Sequence, residues 1–157
     1  MVIGAGTVGT RKALALHDAG ASVHVIAPHV SPALVETAQS STRLRIDTRE
    51  YSGARDLSDV ELVFAATDSP DLNAEIARDA RALHRLVNVA SKGADGSFIS
   101  MASHHAGRIT IGVSAGGVPA AAMEIRDAIA DRFEDLFAKD IEILARQREQ
   151  KIASESS

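Results

Sequence analysis

The sequence predicts an α/β fold built on a doubly wound parallel sheet, and three observations carry that reading. Short apolar runs alternate with helical periodicity from residue 1 to residue 89, the pattern that builds parallel sheets. The run Glu61-Leu62-Val63-Phe64-Ala65-Ala66 is almost unbroken, as in a strand covered on both faces. Gly4-Ala5-Gly6-Thr7-Val8-Gly9 then stands between a first strand and a first helix. This G-x-G-x-x-G turn is the phosphate turn of a Rossmann-like sheet. Its first Gly makes the bend, its second admits a pyrophosphate close to the backbone, and its third lets helix and sheet pack.

The elements follow in order. Met1-Val2-Ile3 is a short first strand; such strands usually have about five or six residues, so the sequence reads as starting inside a longer natural strand. Thr7 to Asp18 is a helix stopped by Gly20. Ala21 to Ala27 is a second strand, ended by Pro28. Ser31 caps a helix over 31–40, with Pro32 at its first position. Arg43 to Asp47 alternates as a strand, 61–66 is the fourth strand, and 85–89 the fifth. Pro70 to Leu83 places Leu72, Ile76, Ala80 and Leu83 at helical spacing. Ligands of such sheets sit beyond the carboxyl ends of the strands. Gly4–Gly9, Ala27–His29, Ala66–Asp68 and Val89–Ser91 therefore converge on one crevice.

After Ser91 the pattern changes. Residues 92–96 form a polar loop, and 97–102 and 108–113 read as short strands. Gly116-Gly117 introduces a long helix from Pro119, whose Ile125, Ile129, Phe133, Phe137, Ile141 and Leu144 form one stripe. That stripe exceeds what a small sheet covers, so a second subunit is expected to bury it, giving a homodimer. The domains read as a nucleotide-binding domain over 1–95, a small dimerisation and substrate segment over 96–136, and a C-terminal helical tail over 137–157 with a frayed end.

Composition narrows the functions. Net charge is −4, which offers no basic field to nucleic acid. The absence of cysteine removes disulfides, thiolate catalysis and cysteine metal sites. No apolar run reaches membrane-spanning length and no signal peptide precedes the first strand, so a cytoplasmic protein is expected. The second strand ends in Ala27-Pro28-His29 without the usual acidic partner of the ribose. No Arg follows at once to hold a 2′-phosphate, and NAD is expected rather than NADP. Asp68 suits both the crevice and a helix cap. His104 and His105 read as a surface turn rather than a metal site, because neighbours on a strand face opposite ways. Ser114 opens a Gly-rich turn that suits either a substrate carboxylate or a helix cap.

The order of these motifs resembles one family, the dehydrogenase domain of siroheme synthases, also found alone as precorrin-2 dehydrogenase. The resemblance runs through residues 2–12, 19–28, 56–68 with Asn73, Val87-Asn88-Val89-Ala90, Phe98-Ile99, and 111–117 with Ile125-Arg126. It implies a Rossmann domain, a small dimerisation domain and a helical tail. It also implies NAD-dependent oxidation of precorrin-2 to sirohydrochlorin, with metal insertion in some members. On that resemblance Gly4, Gly6, Thr7, Val8 and Gly9 meet the cofactor at the phosphate turn, and Pro28 and His29 lie against its adenosine end. Thr67 and Asp68 close over the nicotinamide side with Asn88 near the substrate crevice, and Ser114, Gly116 and Gly117 face the tetrapyrrole.

The sequence departs from the family in the substrate half. The family carries Asp after Val-Asn-Val-Ala as a general base; here that position is Ser91, whose hydroxyl accepts no proton near neutral pH without a base beside it. Asp95, four residues on, is the substitute candidate. The Gly-Gly-x-Ser-Pro turn is shortened to Gly116-Gly117-Val118-Pro119, and the family's Pro-Ala is Met101-Ala102. Three functions therefore stand: the dehydrogenase, a nucleotide- or tetrapyrrole-binding protein without catalysis, and a different small oxidoreductase on the same fold.

Overall fold

The computed structural model describes residues 1–90, 95–106, 109–136, 143–148 and 151; nothing is stated of the others, nor of the side chains of 134–136. The chain divides into two compact units, residues 1–100 and 101–157.

In the first unit the elements are β1 (Val2–Ile3), α1 (Thr7–Asp18), β2 (Val23–Ile26), α2 (Pro32–Ser40), β3 (Leu44–Asp47), a 3-10 turn over Ala54–Leu57, β4 (Leu62–Ala65), α3 (Pro70–Ala82) and β5 (Leu86–Val89). All five strands pair in parallel in the order β3-β2-β1-β4-β5. The order reverses on either side of β1, which makes the carboxyl ends of β1 and β4 the switch point where such sheets open a crevice. The two-residue β1 holds this central place because its ladder extends beyond it. Gly4 N donates to Ile26 O at 2.9 Å, Phe64 N to Met1 O at 2.9 Å and Ala66 N to Ile3 O at 2.8 Å.

Period-2 alternation divides the core between the two faces of this sheet. Val2, Val25 and Phe64 face α1 and α2 and pack with Ala13 and Leu34. Ile3, Ile26, Val63 and Val87 face α3 and pack with Ile76, Ala77 and Ala80. Each such side chain contributes roughly 1.5–3 kcal/mol by leaving water, which is why the short strands hold their register.

The helix ends match their signals with one exchange. Gly20, at φ +92°, ends α1. Ser69 caps α3, its Oγ accepting from Leu72 N at 3.2 Å. Ser31 occupies the N-cap position of α2 but makes no capping bond; its hydroxyl meets Thr10 Oγ1 at 3.1 Å instead.

Of the segment 97–102, expected as a strand, only Ala102 belongs to one. The segment's first residues serve β5 from the side: Ser97 Oγ accepts from Val87 N at 2.7 Å, and Asn88 Nδ2 donates to Phe98 O at 3.0 Å. Phe98 meets Phe64 edge-on at 5.6 Å. These bonds draw residues 96–100 into the first unit, five residues past the expected boundary.

In the second unit β6 (Ala102–Ala106) pairs antiparallel with β7 (Ile109–Val113), followed by α4 (Pro119–Leu136). His104 and His105 therefore stand on a strand and not in a turn, and they diverge as the pleat requires. The His104 ring packs on Phe133 at 5.9 Å, and His105 Nδ1 meets Thr110 Oγ1 at 3.0 Å. Residues 143–148 are helical. Phe137 and Ile141 of the expected stripe lie outside the described residues. Among the described residues no helix is long and apolar enough to cross a membrane.

Candidate functional site

The three glycines of the first turn do three different things. Gly4 has φ +97°, and a Cβ there would stand 2.4 Å from Ala66 O. Only glycine lets β1 turn this closely past the end of β4. At Gly9 a Cβ would lie 2.0 Å from Gly4 O, so α1 rests directly on the turn. Gly6 differs: the nearest atom to its Cβ position is Asp68 Oδ1 at 3.9 Å, and the space is open. Gly6 is also the N-cap of α1, and the first intrahelical bond runs from Thr10 N to Gly6 O at 2.9 Å. The N–H groups of Thr7, Val8 and Gly9 therefore precede the helix's first internal donor, where a helix start favours an anion.

The open side of Gly6 faces a crevice of about 1150 Å³. Gly4, Gly6, Thr7, Pro28, His29, Thr67 and Asp68 all line it. The β4 end of this crevice is held by one buried side chain. Asn73 is fully buried on α3 and clamps Thr67: its Oδ1 accepts from Thr67 N at 3.0 Å and Thr67 Oγ1 at 2.8 Å. Its Nδ2 donates to Thr67 O at 3.0 Å. The Ala-Ala-Thr-Asp…Asn pattern is thus a strand end and the side chain that fixes it. Because Ser69 caps α3, Asp68 carries no capping duty and stands exposed beside Gly6.

At the other end of the crevice the sequence left residues unnamed. Thr10, Ser31, Glu50 and Tyr51 also line it. Thr10 Oγ1 donates to Ala5 O at 2.9 Å, tying α1 to the glycine turn. Tyr51 donates its hydroxyl to Asp79 Oδ2 at 2.8 Å, and burial together with that carboxylate pushes the phenol well above its ordinary range. Arg49 is held by Asp56 through two contacts, 2.7 and 2.8 Å. That bond holds the Asp56 carboxyl down at about 2. No spacing signal marks Glu50 and Tyr51, because they come from the loop after β3, which only the pairing of β3 with β2 brings to the crevice; Thr10 lies on α1 and Ser31 at the start of α2.

The other candidates stand elsewhere. Val8 is exposed on the first turn of α1, and Gly9 is sealed beneath it. Asn88 is 5% exposed and spends its amide on Phe98. Asp95 accepts from Arg81 through its backbone carbonyl and does not line this crevice. Ser91 lies outside the described residues. In the second unit Ser114 is exposed, and Gly116 and Gly117 take φ +57° and +87° with nothing within 4 Å of either Cβ position. Among the described residues no three His, Asp or Glu side chains are placed to hold a metal ion.

Comparison with known proteins bears on this geometry. The profile of a family described as "Putative NAD(P)-binding" matches residues 1–102. The chain is 38% identical to a siroheme synthase of Saccharophagus degradans over 130 residues, covering 82% of this chain and 28% of that protein. It is 41% identical to a siroheme synthase of Ectopseudomonas mendocina over 130 residues, covering 82% and 27%. It thus spans little more than a quarter of these relatives' length. A solved structure of SirC, precorrin-2 dehydrogenase, superposes with a TM-score of 0.76 at 25% identity, covering 92% of this chain and 71% of that one. The chain belongs to the NAD(P)-binding family whose profile it matches, with siroheme synthases and a precorrin-2 dehydrogenase among its relatives.

Proposed function

We propose that this chain binds NAD in the crevice at the glycine turn and oxidises precorrin-2 to sirohydrochlorin. The observation that carries the reading is the contrast within the turn: Gly4 and Gly9 are closed by the protein's own backbone, whereas Gly6 opens on the crevice. A turn needed only for folding has no use for the opening at Gly6; a pyrophosphate does. Bound NAD supplies the hydride acceptor. The chain's residues would do the rest: the α1 N-terminus receives the phosphates, Pro28 and His29 border the adenosine end, and Thr67, fixed by Asn73, borders the nicotinamide end. Asp95, which does not line the crevice, is the base proposed to take the proton lost with the hydride. The second unit, with Met101, Val118 and Ile125 exposed, would pair with a second copy, and Ser114, Gly116 and Gly117 would hold the tetrapyrrole. A tail from residue 137 completes the proposed organisation.

The test is anaerobic incubation of the chain with precorrin-2 and NAD, followed by the absorbance of sirohydrochlorin. Turnover supports the reading, and Asp95→Asn should abolish it; unaltered turnover in that variant removes Asp95 as the base. The presence of Ser91 where the family has Asp favours a second reading, binding without catalysis. Ser91→Asp discriminates: a large gain marks a chain that has lost its base, and no change marks another base or another substrate. Adding ferrous or cobaltous ion to the same mixture tests metal insertion.

A further inference from the structure

We propose that Glu50 sets the preference for NAD over NADP, its carboxylate accepting the 2′-hydroxyl of the adenine ribose. The proposal rests on the dinucleotide reading of the crevice. Sheets of this kind ordinarily place an acid at the end of the second strand for that hydroxyl, and here β2 ends in Ala27-Pro28-His29. The parallel register supplies a replacement from the neighbouring strand. Ile26 pairs with Asp47, and Ala27 N donates to Asp47 O at 3.3 Å. His29 and Glu50 therefore stand three residues past paired positions, on adjacent strands, and both line the crevice.

The neighbouring cation is disarmed. Arg49 could have held a 2′-phosphate, but Asp56 grips its guanidinium with two contacts, Asp47 approaches at 3.7 Å, and Arg49 does not line the crevice. Glu50 thus offers an acceptor to a hydroxyl and a negative charge to a phosphate, and Arg11 of α1 is the arginine that lines the same crevice. Glu50 is exposed, and its bond to Arg49 runs through its backbone oxygen, so its carboxylate can be changed without loss of that contact.

The experiment measures the dissociation constants of NAD and NADP for the chain and for Glu50→Gln by calorimetry, at low and high salt. The chain should prefer NAD. Glu50→Gln should weaken NAD by about tenfold, the scale of a hydrogen bond to a charged acceptor, and should strengthen NADP. Salt should improve NADP binding to the chain by screening the repulsion, and should do so much less in the variant. An NAD-to-NADP ratio unchanged by Glu50→Gln, in a chain that binds NAD, overturns the assignment of Glu50 alone. Failure of the unaltered chain to bind either dinucleotide overturns the reading of the crevice, and Glu50 with it.

Discussion

The two units spend their small and apolar residues in opposite ways. In the first, Gly4, Gly9 and Gly96 are pressed against backbone, and the strands carry about half of the buried side chains among the described residues, on both faces of one sheet. In the second, among the described residues, Ala122 and Phe133 are buried while Met101, Val118, Met123 and Ile125 stay exposed. Even its crowded glycine is crowded differently: a Cβ at Gly112 would meet the Cε of Met101 at 2.8 Å, the movable end of a flexible side chain. The difference teaches where function is already built into the chain. The first unit completes its own crevice; the second presents exposed apolar side chains among its described residues.

Substitutions can break or sharpen this contrast. The largest effect belongs to Gly9→Ala. Helix propensity alone would favour Ala by about 1 kcal/mol, but its Cβ would meet Gly4 O at 2.0 Å. Urea unfolding should show a loss of about 3 kcal/mol or more, and a stabilised variant would refute the close contact of helix and turn. Asn73→Ala comes next. It removes a buried clamp with three bonds to Thr67 and should cost roughly 2–3 kcal/mol, measured in the same way.

A third expectation concerns pH. The Asp56 carboxyl is held down at about 2, chiefly by Arg49 and then by Ser52. A depressed carboxyl stabilises the fold above its unfolded pKa, near 4, and the contribution fades as pH falls through its folded value. The unaltered chain should lose on the order of 1–2 kcal/mol between pH 4 and 2 that Asp56→Asn does not lose, as read from unfolding across that window. The smallest effect is expected in the second unit. Gly112→Ala should cost less than about 1 kcal/mol because Met101 can move aside. A loss as large as that of Gly9→Ala would erase the contrast between the units.

The sheet was legible in the sequence because its signals are local. The apolar run at 61–66, the stop at Gly20 and the Pro at the first turn of α2 and α3 each state their own conformation. The strand sought at 97–102 was not legible. Phe98 and Ile99 are apolar and β-compatible enough to read as a strand, but the bonds of Ser97 and Phe98 go to Val87 and Asn88, ten residues back, a tertiary choice that no period reveals. The same holds for the crevice. Gly4, Gly6 and Gly9 announce it by spacing. Glu50 and Tyr51 enter it only through the register of β3 on β2, and nothing near them in sequence says so. His104 and His105 belong to a strand whose partner, Ile109–Val113, is known only from the pairing of the two.

We propose that the open glycine is open for a dinucleotide. Gly6→Val tests it most directly, since φ −67° and ψ −171° suit any residue and no atom stands closer than 3.9 Å to the new Cβ. Calorimetric titration with NAD, with urea unfolding alongside, should show the variant folded to within about 1 kcal/mol, the cost of losing a Gly cap, and its NAD affinity lowered by at least about tenfold, the scale of one phosphate contact. A folded Gly6→Val variant that binds NAD as tightly as the unaltered chain would contradict it.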